Sequence, residues 1–477
     1  MIFTTSLQPL TDKPSAKNRQ FVRPLFTSRQ VAALLLICDI AILLASLSTH
    51  RALQASAFIF LLSPLTWLFV ITFVSGLYLT DAYRLDFLRV SGVRASIRTL
   101  ISNSMATGLW VIVIYIFNAL SPSSAYTNNV WPTAIVIFSI WTIVSRLVTA
   151  NYLKAQTALN RWLLLGFDHS QNSLLQDFSS LKLTNHVVNL LANWQTVPAE
   201  HTQEVGNLSD LGAWLTQPCS HILVSHELKL NEQQLTYLKQ ARLQGIPVYR
   251  VPDLYENYFN KIPADTLQDT WFTFSVGFNL LSNRINLWVK RFGDIILAIS
   301  VLCIVSPVML ITAIAIKLDS PGSVFYSQSR TGQNMKPFRV YKFRSMYQDA
   351  EKRGVQWASE RDPRITRVGN VIRLVRIDEL PQLWNVLRGD MSMIGPRPER
   401  PEFDKKLAKE IPHYTVRYML KPGITGWAQV LYPYGASVND AYEKLAYDLY
   451  YIKNHSFWLD LAIVFKTLRV VLLGKGR

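Results

Sequence analysis

Long apolar runs alternate with polar stretches in the first third of the chain. Four apolar segments lie near residues 31–49, 57–79, 101–120 and 130–150. Each is close to the ~20 residues that a membrane-spanning helix needs. The pattern therefore predicts a four-helix transmembrane region over 31–152, preceded by a polar tail over 1–30.

Basic residues in the links between these segments predict which side of the membrane each link occupies. The link over 80–100 carries four arginines between Arg84 and Arg98, whereas the next link, SPSSAYTNN, carries no charge. Because Lys and Arg are retained on the cytoplasmic side, both ends of the four-helix set, with the tail, are expected in the cytoplasm. Asp39 lies inside the first segment, and we expect it to face other helices, since a lipid-facing charge is costly.

Strand and helix patterns alternate over 160–270. RWLLLGFDHS, HVVNLLA and HILVSHE fit buried strands, and NEQQLTYLKQARLQGIPVYRV fits a helix, a glycine turn and a strand. This alternation predicts a small Rossmann-like parallel sheet. A dinucleotide site would need Gly-x-Gly-x-x-Gly after the first strand, and here Gly166 is followed by Phe-Asp-His-Ser-Gln-Asn. We therefore expect a degenerate domain with a regulatory or assembly role, with nucleotide binding as the alternative.

A fifth apolar run, 295–316, is long enough to cross a membrane. Ser306-Pro307 lies at its centre, and proline removes a helix hydrogen bond and bends the helix axis. Both flanks are basic, so a span would carry the basic remainder of the chain across the membrane against the positive-inside bias. We therefore predict a re-entrant hairpin broken at Ser306-Pro307, with a kinked span as the alternative.

Composition and charge narrow the class of protein. The 477 residues carry a formal net charge of +17 together with 49% hydrophobic residues. A basic and apolar chain is typical of a membrane protein with a cytoplasmic face or of a nucleic-acid binder. The apolar segments favour the membrane protein, so no nucleic-acid partner is expected. The three cysteines form no Cys-x-x-Cys pair, which favours a reducing compartment and gives no zinc site.

The richest candidate chemistry lies in VRIDELPQLWNVLRGDMSMIGPRPERPE, residues 375–402. Its adjacent carboxylates, Asp378 and Glu379, precede a short helical pattern in which Pro381 suits the first turn. Arginines surround the pair, and a helix N-terminus attracts anions. Such a cluster suits a divalent metal and phosphates. For an isolated Asp-Glu pair, however, a solvated helix cap in a surface salt-bridge cluster is the simpler explanation.

A series of long motifs runs in order from residue 290 towards the C-terminus. They are KRFGD (290–294), PGSVFY (321–326), KFRSM (342–346), DPRITRVG (362–369), DELPQLWNVLRGDMSMIGPRP (378–398) and KPGITGWAQV (421–430). Together they resemble the bacterial sugar transferase family, the monotopic polyprenyl-phosphate phosphoglycosyl transferases. The N-terminal helices and Rossmann-like domain resemble its large, exopolysaccharide-initiating members, and RPERPEF with YPYGASVNDAYEKLAYDLYYIKN resembles an exosortase-associated subgroup. One departure is Val375-Arg376, where many members carry Thr-Ser.

The resemblance implies a catalytic domain over 285–477 and a role for each matching residue. Asp378 is implied as the nucleophile that attacks the sugar-linked phosphorus of a UDP-sugar, and Glu379 as the ligand of Mg²⁺. Phosphate contacts are implied for a basic set: Arg397, Arg344, Lys342 and Arg373. Gln429 and Trp427 are weaker candidates for contacts to the nucleotide. The break at Ser306 and Pro307 would place this site at the membrane interface.

The implied fold is a membrane α-helical N-terminal bundle, a Rossmann-like α/β domain and an α/β monotopic phosphoglycosyl transferase domain with a re-entrant membrane helix. The implied reaction moves a sugar-1-phosphate, by default a hexose-1-phosphate, from a UDP-sugar to undecaprenyl phosphate through an aspartyl intermediate. UMP is released, and exopolysaccharide synthesis begins at the cytoplasmic face of the bacterial inner membrane.

Partners and rival functions also follow from these patterns. The lipid bilayer and, by analogy with the large members, a second copy in a homodimer are the expected partners. One alternative is a non-enzymatic membrane nucleotide sensor that regulates polysaccharide export. Another is a transporter, which would need more polar groups inside its spans than Asp39. The sequence does not specify the sugar.

Overall fold

The computed structural model describes residues 28–48, 63–83, 92–120, 130–168, 176–177, 179, 186–191, 202, 204–347, 364–432, 435 and 437–472. It forms two compact units, Met1–Val248 and Tyr249–Arg477. Most of the predicted tail, the arginines at 84 and 89, and the link SPSSAYTNN lie outside the described residues, as does the start of the DPRITRVG motif.

Four apolar helices precede the strands in the described part of the first unit, and each overlaps one of the four apolar segments of the sequence. They are α1 (Ser28–Ser48), α2 (Pro64–Leu79), α3 (Gly92–Leu120) and α4 (Val130–Leu159). Stretches of α1, α3 and α4 are long and apolar enough to cross a membrane, whereas α2 is a shorter apolar helix. Ser63 caps α2 by accepting a hydrogen bond from the Thr66 amide, and Pro64 occupies the first turn, where its missing N–H costs nothing.

A buried ion pair joins α1 to α4. Asp39 and Arg146 are both fully buried, and their side chains approach to 2.7 Å. Tyr83 Oη donates to Asp39 Oδ2 at 2.8 Å, and Trp141 Nε1 donates to Oδ1 at 2.9 Å. The prediction that Asp39 faces other helices is confirmed, and its carboxylate is satisfied by groups of the bundle itself.

A five-stranded sheet follows the bundle, in the order β3-β2-β1-β4-β5. The strands are β1 (Arg161–Leu165), β2 (His186–Leu191), β3 (Glu204–Asn207), β4 (His221–Val224) and β5 (Val248–Arg250), with helices α5 (Leu211–Trp214) and α6 (Glu232–Leu243) between them. The pairs β1–β2, β1–β4 and β2–β3 are parallel, as the Rossmann-like pattern predicts. After Gly166, the buried Asn189 side chain donates to the Phe167 carbonyl at 2.6 Å and ties down this turn.

The second unit mixes helices with two small sheets. Its helices are α7 (Val251–Leu254), α8 (Asp269–Phe274), α9 (Asn279–Ser282), α10 (Arg284–Asp319), α11 (Arg367–Leu374), α12 (Gln382–Arg388), α13 (Pro401–Glu410), α14 (Trp427–Leu431), α15 (Val438–Asn454) and α16 (Phe457–Leu472). Strands β6 (Phe325–Thr331) and β7 (Pro337–Phe343) pair antiparallel, and β8 (Ser392–Ile394) and β9 (Gly423–Thr425) pair parallel.

The border between the units differs from the predicted one. The Rossmann-like domain was expected to reach residue 270 and the catalytic domain to begin at 285. Instead, Ile262, Ala264 and Leu280 belong to the main core of the second unit, with residues of α15 such as Leu445 and Leu449. The chain from Ile262 to Leu280 therefore belongs to the second unit, because these three apolar side chains are buried in its core.

Helix α10 corrects the prediction of a broken hairpin over 295–316. It is one helix of 36 residues, and Pro307 lies inside it. Proline leaves the carbonyl four residues earlier without its usual amide donor, and that carbonyl belongs to Cys303. The Ser306 hydroxyl donates to the Cys303 carbonyl at 3.0 Å. The serine thus supplies the missing hydrogen bond, and the helix continues through the proline.

Both ends of α10 contact the same unit. Near its start, Arg291 donates to the carbonyls of Val386 and Leu387 at 2.6 and 2.9 Å. Near its end, Arg344 donates to the carbonyls of Ile316 and Ser320 at 3.3 and 2.6 Å. One side of the helix packs on the unit, while many large apolar side chains on it remain exposed, including Ile304, Leu310 and Ile311.

The C-terminal helix α16 packs on the core with one face and exposes large apolar side chains on another. Ile463 is fully buried in the main core of the unit. Phe457, Trp458 and Leu468 are more than half exposed on the same helix. The helix therefore packs on the core by one face and presents an apolar face outward, as a surface-binding amphipathic helix does.

The Asp39–Arg146 pair predicts strong coupling between two distant positions. Removal of one partner from a buried pair leaves an uncompensated charge and costs about 3–5 kcal/mol. We expect Asp39→Leu and Arg146→Met each to lower the thermal unfolding midpoint in detergent, and the double variant to be less destabilised than the sum of the two. Ser104→Ala, at an exposed position of α3, serves as the control. Additive losses from the two substitutions would contradict the pairing.

Candidate active site

The acidic pair lies in a 3-10 turn, Ile377–Glu379, between α11 and α12. Arg376 precedes the turn in the left-handed conformation, with φ of 57°. Pro381 occupies the N-cap position of α12, one residue earlier than the first helical position. Asp378 and Glu379 are both buried. This burial removes the solvated helix cap as an explanation of the pair.

Cationic side chains from three segments surround Glu379. Lys342 Nζ lies 2.9 Å and Arg397 Nη2 2.8 Å from its Oε1. Arg376 Nη1 lies 3.4 Å from its Oε2. Burial alone would raise the pKa of Glu379, but Arg397, Lys342 and Arg376 together hold it well below its usual range. These three cations therefore favour the ionised form of Glu379.

Asp378 has a different environment although it is the next residue. Its carboxylate forms no hydrogen bond or ion pair within the part of the chain that the structure describes. Burial raises the pKa of Asp378, and the Glu379 carboxylate raises it too, against the lowering effect of Lys342 and Arg373. The two carboxylates are thus adjacent but unequal, because Glu379 holds the cations and Asp378 does not.

Strand β7 positions Lys342 through a link to α12. The buried Asn385 side chain donates to the Arg339 carbonyl at 2.7 Å and accepts from the Tyr341 amide at 3.1 Å. Antiparallel pairing with β6 places Tyr326 opposite Lys342. Sequence reasoning gave no role to Asn385. Its amide, which satisfies two backbone groups of a neighbouring strand, fixes the distance between Lys342 and the acidic pair.

Arg373, on α11, carries a guanidinium nitrogen that is available to a ligand. It is close enough to Asp378 to lower the pKa of that carboxyl. Its Nη1 is buried and has no hydrogen-bond partner among the described residues. A buried donor without a partner is costly, so this nitrogen suits an anionic ligand. Arg373, Lys342 and Arg397 thus lie near the acidic pair, while the phosphate contacts implied for them stay a prediction.

Arg344 was expected to contact phosphate, but its guanidinium binds backbone carbonyls instead. It is buried, and its two terminal nitrogens contact the end of α10 and the turn that follows. Nη2 donates to the Ser320 carbonyl and to Ser320 Oγ at 3.0 Å, and Nη1 donates to the Pro321 carbonyl at 2.8 Å. Its guanidinium caps a helix C-terminus, where the carbonyls and the helix dipole attract a cation.

Trp427 and Gln429 were expected to contact the nucleotide, and in the structure both side chains make contacts within the protein. Trp427 is buried in the main core, donates from Nε1 to the Asn260 carbonyl at 2.9 Å and stacks on Tyr450. Gln429 Nε2 donates to the Ile424 carbonyl at 3.2 Å. Their side chains hold the turn around Gly426, whose Cα approaches the Gly395 carbonyl too closely for any Cβ. We therefore assign Trp427 to the core, whereas a contact of Gln429 with the nucleotide stays a prediction, since its Oε1 is buried without a hydrogen-bond partner among the described residues.

The donor set at the pair fits a magnesium ion that shares its ligands with a substrate. Among the described residues, no three His, Cys, Asp or Glu side chains are grouped as a metal site. Mg²⁺ is commonly held by one or two carboxylates, with phosphate oxygens and waters completing its shell. Glu379 is ionised and Asp378 is adjacent, so the pair offers the protein ligands of such a shell. Lys342 and Arg397 would then be available to phosphate oxygens.

The opposite pKa shifts predict opposite effects of two isosteric substitutions. At pH 7, Asp378→Asn removes an unfavourably buried charge and should raise the thermal unfolding midpoint. Glu379→Gln leaves buried cations without their anion and should lower it. The Asp378 effect should vanish below about pH 3.9, the ordinary pKa of an aspartate, where the folded and unfolded states are both protonated. Equal destabilisation by both substitutions would contradict the assignment.

Comparison with known proteins identifies the second unit. The family model described as bacterial sugar transferase matches residues 285–474. A UDP-N-acetylgalactosamine-undecaprenyl-phosphate N-acetylgalactosaminephosphotransferase of Aeromonas hydrophila is 47% identical over 240 residues, 50% of this chain and 56% of that protein. A UDP-glucose:undecaprenyl-phosphate glucose-1-phosphate transferase of Escherichia coli (strain K12) is 44% identical over 187 residues, 38% of this chain and 40% of that protein.

The match with a third relative covers almost the whole length of that protein. The exopolysaccharide production protein PSS of Rhizobium leguminosarum bv. phaseoli is 42% identical over 198 residues, which are 40% of this chain and 99% of that protein. The match with the Aeromonas and Escherichia proteins spans only about half of their lengths. The similarity to PSS, together with the family match, is nevertheless sufficient: the chain belongs to the bacterial sugar transferase family.

Proposed function

We propose that this protein transfers a sugar-1-phosphate from a UDP-sugar to undecaprenyl phosphate and so starts the assembly of an exopolysaccharide. The observation that carries the proposal is the unequal pair, in which Glu379 is held by three cations while Asp378 is buried beside them without a partner among the described residues. The names of the relatives from Aeromonas and Escherichia supply the two substrate classes.

Asp378 is the nucleophile of the proposed reaction. One carboxylate oxygen attacks the phosphorus that bears the sugar, and the bond from that phosphorus to the UMP oxygen breaks. UMP leaves with the electron pair, and an aspartyl-phosphate ester of the sugar remains. An oxygen of the lipid phosphate then attacks the same phosphorus and releases the carboxylate. A covalent intermediate of this kind divides one difficult displacement into two easier ones.

The cations around the pair suit both steps. Two anionic reactants and a carboxylate must come together, so positive charge is needed where the phosphate oxygens lie. Arg373 offers a buried Nη1 without a partner among the described residues, and Lys342 and Arg397 lie on Glu379 within reach of the pair. Mg²⁺ held by Glu379 would neutralise charge on the diphosphate and favour departure of UMP.

The long helix α10 supports a site at the membrane surface. Its exposed apolar side chains and those of α16 form a surface suited to the hydrocarbon of a bilayer, and both ends of α10 stay on the second unit. A lipid-borne phosphate approaches from the membrane surface. We therefore propose that α10 bends at Pro307 without a break, enters the inner membrane from the cytoplasmic side and returns the chain to that side, in agreement with its basic flanks.

The central prediction concerns covalent capture of the sugar phosphate. Purified protein given Mg²⁺ and a UDP-sugar, without lipid phosphate, should release at most one UMP per chain and gain the mass of a sugar phosphate. Undecaprenyl phosphate should then permit multiple turnovers. A panel of UDP-glucose, UDP-galactose and their N-acetylated counterparts, followed by UMP release and intact mass, makes the test.

The matched variants are Asp378→Asn and Asp269→Asn. The first should lose UMP release and the mass gain, since an amide is no nucleophile here. The second should retain both, because the Asp269 side chain is 99% exposed and pairs only loosely with His413, at 4.0 Å. Release of UDP instead of UMP, or unchanged turnover by Asp378→Asn, would rule out the proposed reaction.

Removal of the metal should stop the reaction reversibly. Excess EDTA should reduce UMP release at least about 100-fold, since a Lewis acid on the transferred group is worth several kcal/mol. Added Mg²⁺ should restore release in the wild type but not in Glu379→Gln. Full activity in EDTA, or equal rescue of Glu379→Gln by Mg²⁺, would exclude Glu379 as the metal ligand.

A further inference from the structure

A cavity of about 110 Å³ lies beside the site and has no part in the chemistry described so far. Its lining includes Glu399, Phe403, Tyr414, Arg417, Ser437 and Lys444. Pockets for drug-sized ligands are about 300–1,000 Å³, so this cavity is too small for a whole nucleotide sugar. It has the size for one moiety of such a molecule.

The buried Arg417 side chain in the wall of the cavity has one N–H donor without a partner among the described residues. Arg417 is 4% exposed, and its Nη1 donates to the Tyr414 hydroxyl at 2.8 Å. Its Nη2 lies 2.9 Å from Asp448 Oδ2. Its Nε is buried and has no hydrogen-bond partner among the described residues. Because an unsatisfied buried donor is costly, Nε suits an acceptor on a bound ligand or a water molecule.

The cavity adjoins the phosphate-binding cations. Arg417 Nη2 donates to the Arg397 carbonyl at 3.1 Å, while the Arg397 side chain reaches Glu379. Glu399 is only two residues further along the chain. Burial lowers the pKa of Lys444, and Glu399 and Arg397 are close enough to shift it as well. A group bonded directly to a phosphate at Arg397 would therefore be next to this cavity.

The lining is mixed in the way that a sugar ring requires. Glu399 accepts hydrogen bonds, Lys444 and Arg417 donate them, and Phe403 adds an apolar wall. Lys444 Nζ uses one hydrogen on the Gly435 carbonyl, at 2.7 Å, and an ammonium has three. Hydroxyls of a hexose need such donors and acceptors, and its C–H face needs an apolar wall. A uracil ring would need an open aromatic face, and Tyr414 is only 1% exposed.

We propose that this cavity binds the sugar ring of the donor and discriminates among UDP-sugars through Glu399, Lys444 and Arg417. The assignment rests on the proposed function and deepens it. The sugar ring is bonded to the phosphorus that Asp378 attacks, so the cavity lies where the transferred sugar has to be held during both displacements.

The test uses single-deoxy analogues of whichever UDP-sugar the full-length wild type uses best. Glu399→Gln and Lys444→Met are the variants. Lys406→Met is the matched control, since Lys406 is exposed on α13 and pairs only loosely with Glu410, at 4.0 Å. For each protein, kcat/KM is measured with the parent sugar and each analogue, and the inhibition constant of UDP, which lacks the sugar, is measured in parallel.

We expect the wild type to lose at least about tenfold in kcat/KM when a hydroxyl facing the cavity is removed. A variant that lacks the side chain bound to that hydroxyl should lose a similar factor in kcat/KM with the parent sugar. Removal of the hydroxyl as well, in the matching analogue, should then lower kcat/KM of that variant little further. The inhibition constant of UDP should stay within about twofold in both variants. Lys406→Met should match the wild type throughout.

Three outcomes would overturn the proposal, and one of them also bears on the proposed function. Additive losses in both variants would show that the cavity does not touch the sugar. A parallel weakening of UDP inhibition would assign the cavity to the nucleotide moiety. Glu399→Gln preserves the shape of the side chain, so this variant alone decides the test if Lys444→Met misfolds. Wild-type protein that releases no UMP from any UDP-sugar would refute the proposed function, and the cavity's role with it.

Discussion

The site depends on one electrostatic constraint: two neighbouring carboxylates are buried together, and the cations around them cannot serve both equally. Lys342, Arg376 and Arg397 contact Glu379, which stays ionised and forms the anionic centre of a cationic pocket. Asp378 is left beside them, and burial raises its pKa. A buried carboxylate without hydrogen bonds is poorly stabilised as an anion and therefore well suited to attack phosphorus. The proposed division into a metal-holding and a reacting carboxylate rests on what surrounds each one.

Periodicity predicted the regular parts of the fold, and it failed where a single side chain decides the outcome. Apolar runs predicted the N-terminal helices and the parallel sheet, but β3 contains Glu204-Val-Gly-Asn and has no strand pattern of its own. It exists because β2 offers it a parallel partner. The break expected at Pro307 is absent because Ser306 supplies the hydrogen bond that proline removes. A proline in a sequence does not reveal whether a neighbouring hydroxyl will satisfy the free carbonyl.

Arginine was the least predictable residue of the site. Arg373 and Arg397 lie at the acidic pair, while Arg344 and Arg291 bind the carbonyls at the ends of α10 and α12. A guanidinium satisfies phosphate oxygens and helix carbonyls with the same planar set of donors, so the motif KFRSM fits both roles. Only the fold separates them. Arg344 and Arg291 are no less important for the site, because they attach the long apolar helix α10 to the unit that carries Asp378 and Glu379.

The departure at Val375-Arg376 acquires a physical meaning from the same electrostatics. Arg376 stands where the family resemblance leads us to expect a serine, and it adopts a left-handed backbone, which costs an ordinary residue about 1–2 kcal/mol. This conformation places Nη1 3.4 Å from Glu379 Oε2, a distance that a serine side chain at the same position is too short to span. The additional cation lowers the pKa of Glu379 and leaves Lys342 and Arg397 less essential to its ionisation. Arg376 therefore gives Glu379 a positive neighbour in addition to Lys342 and Arg397.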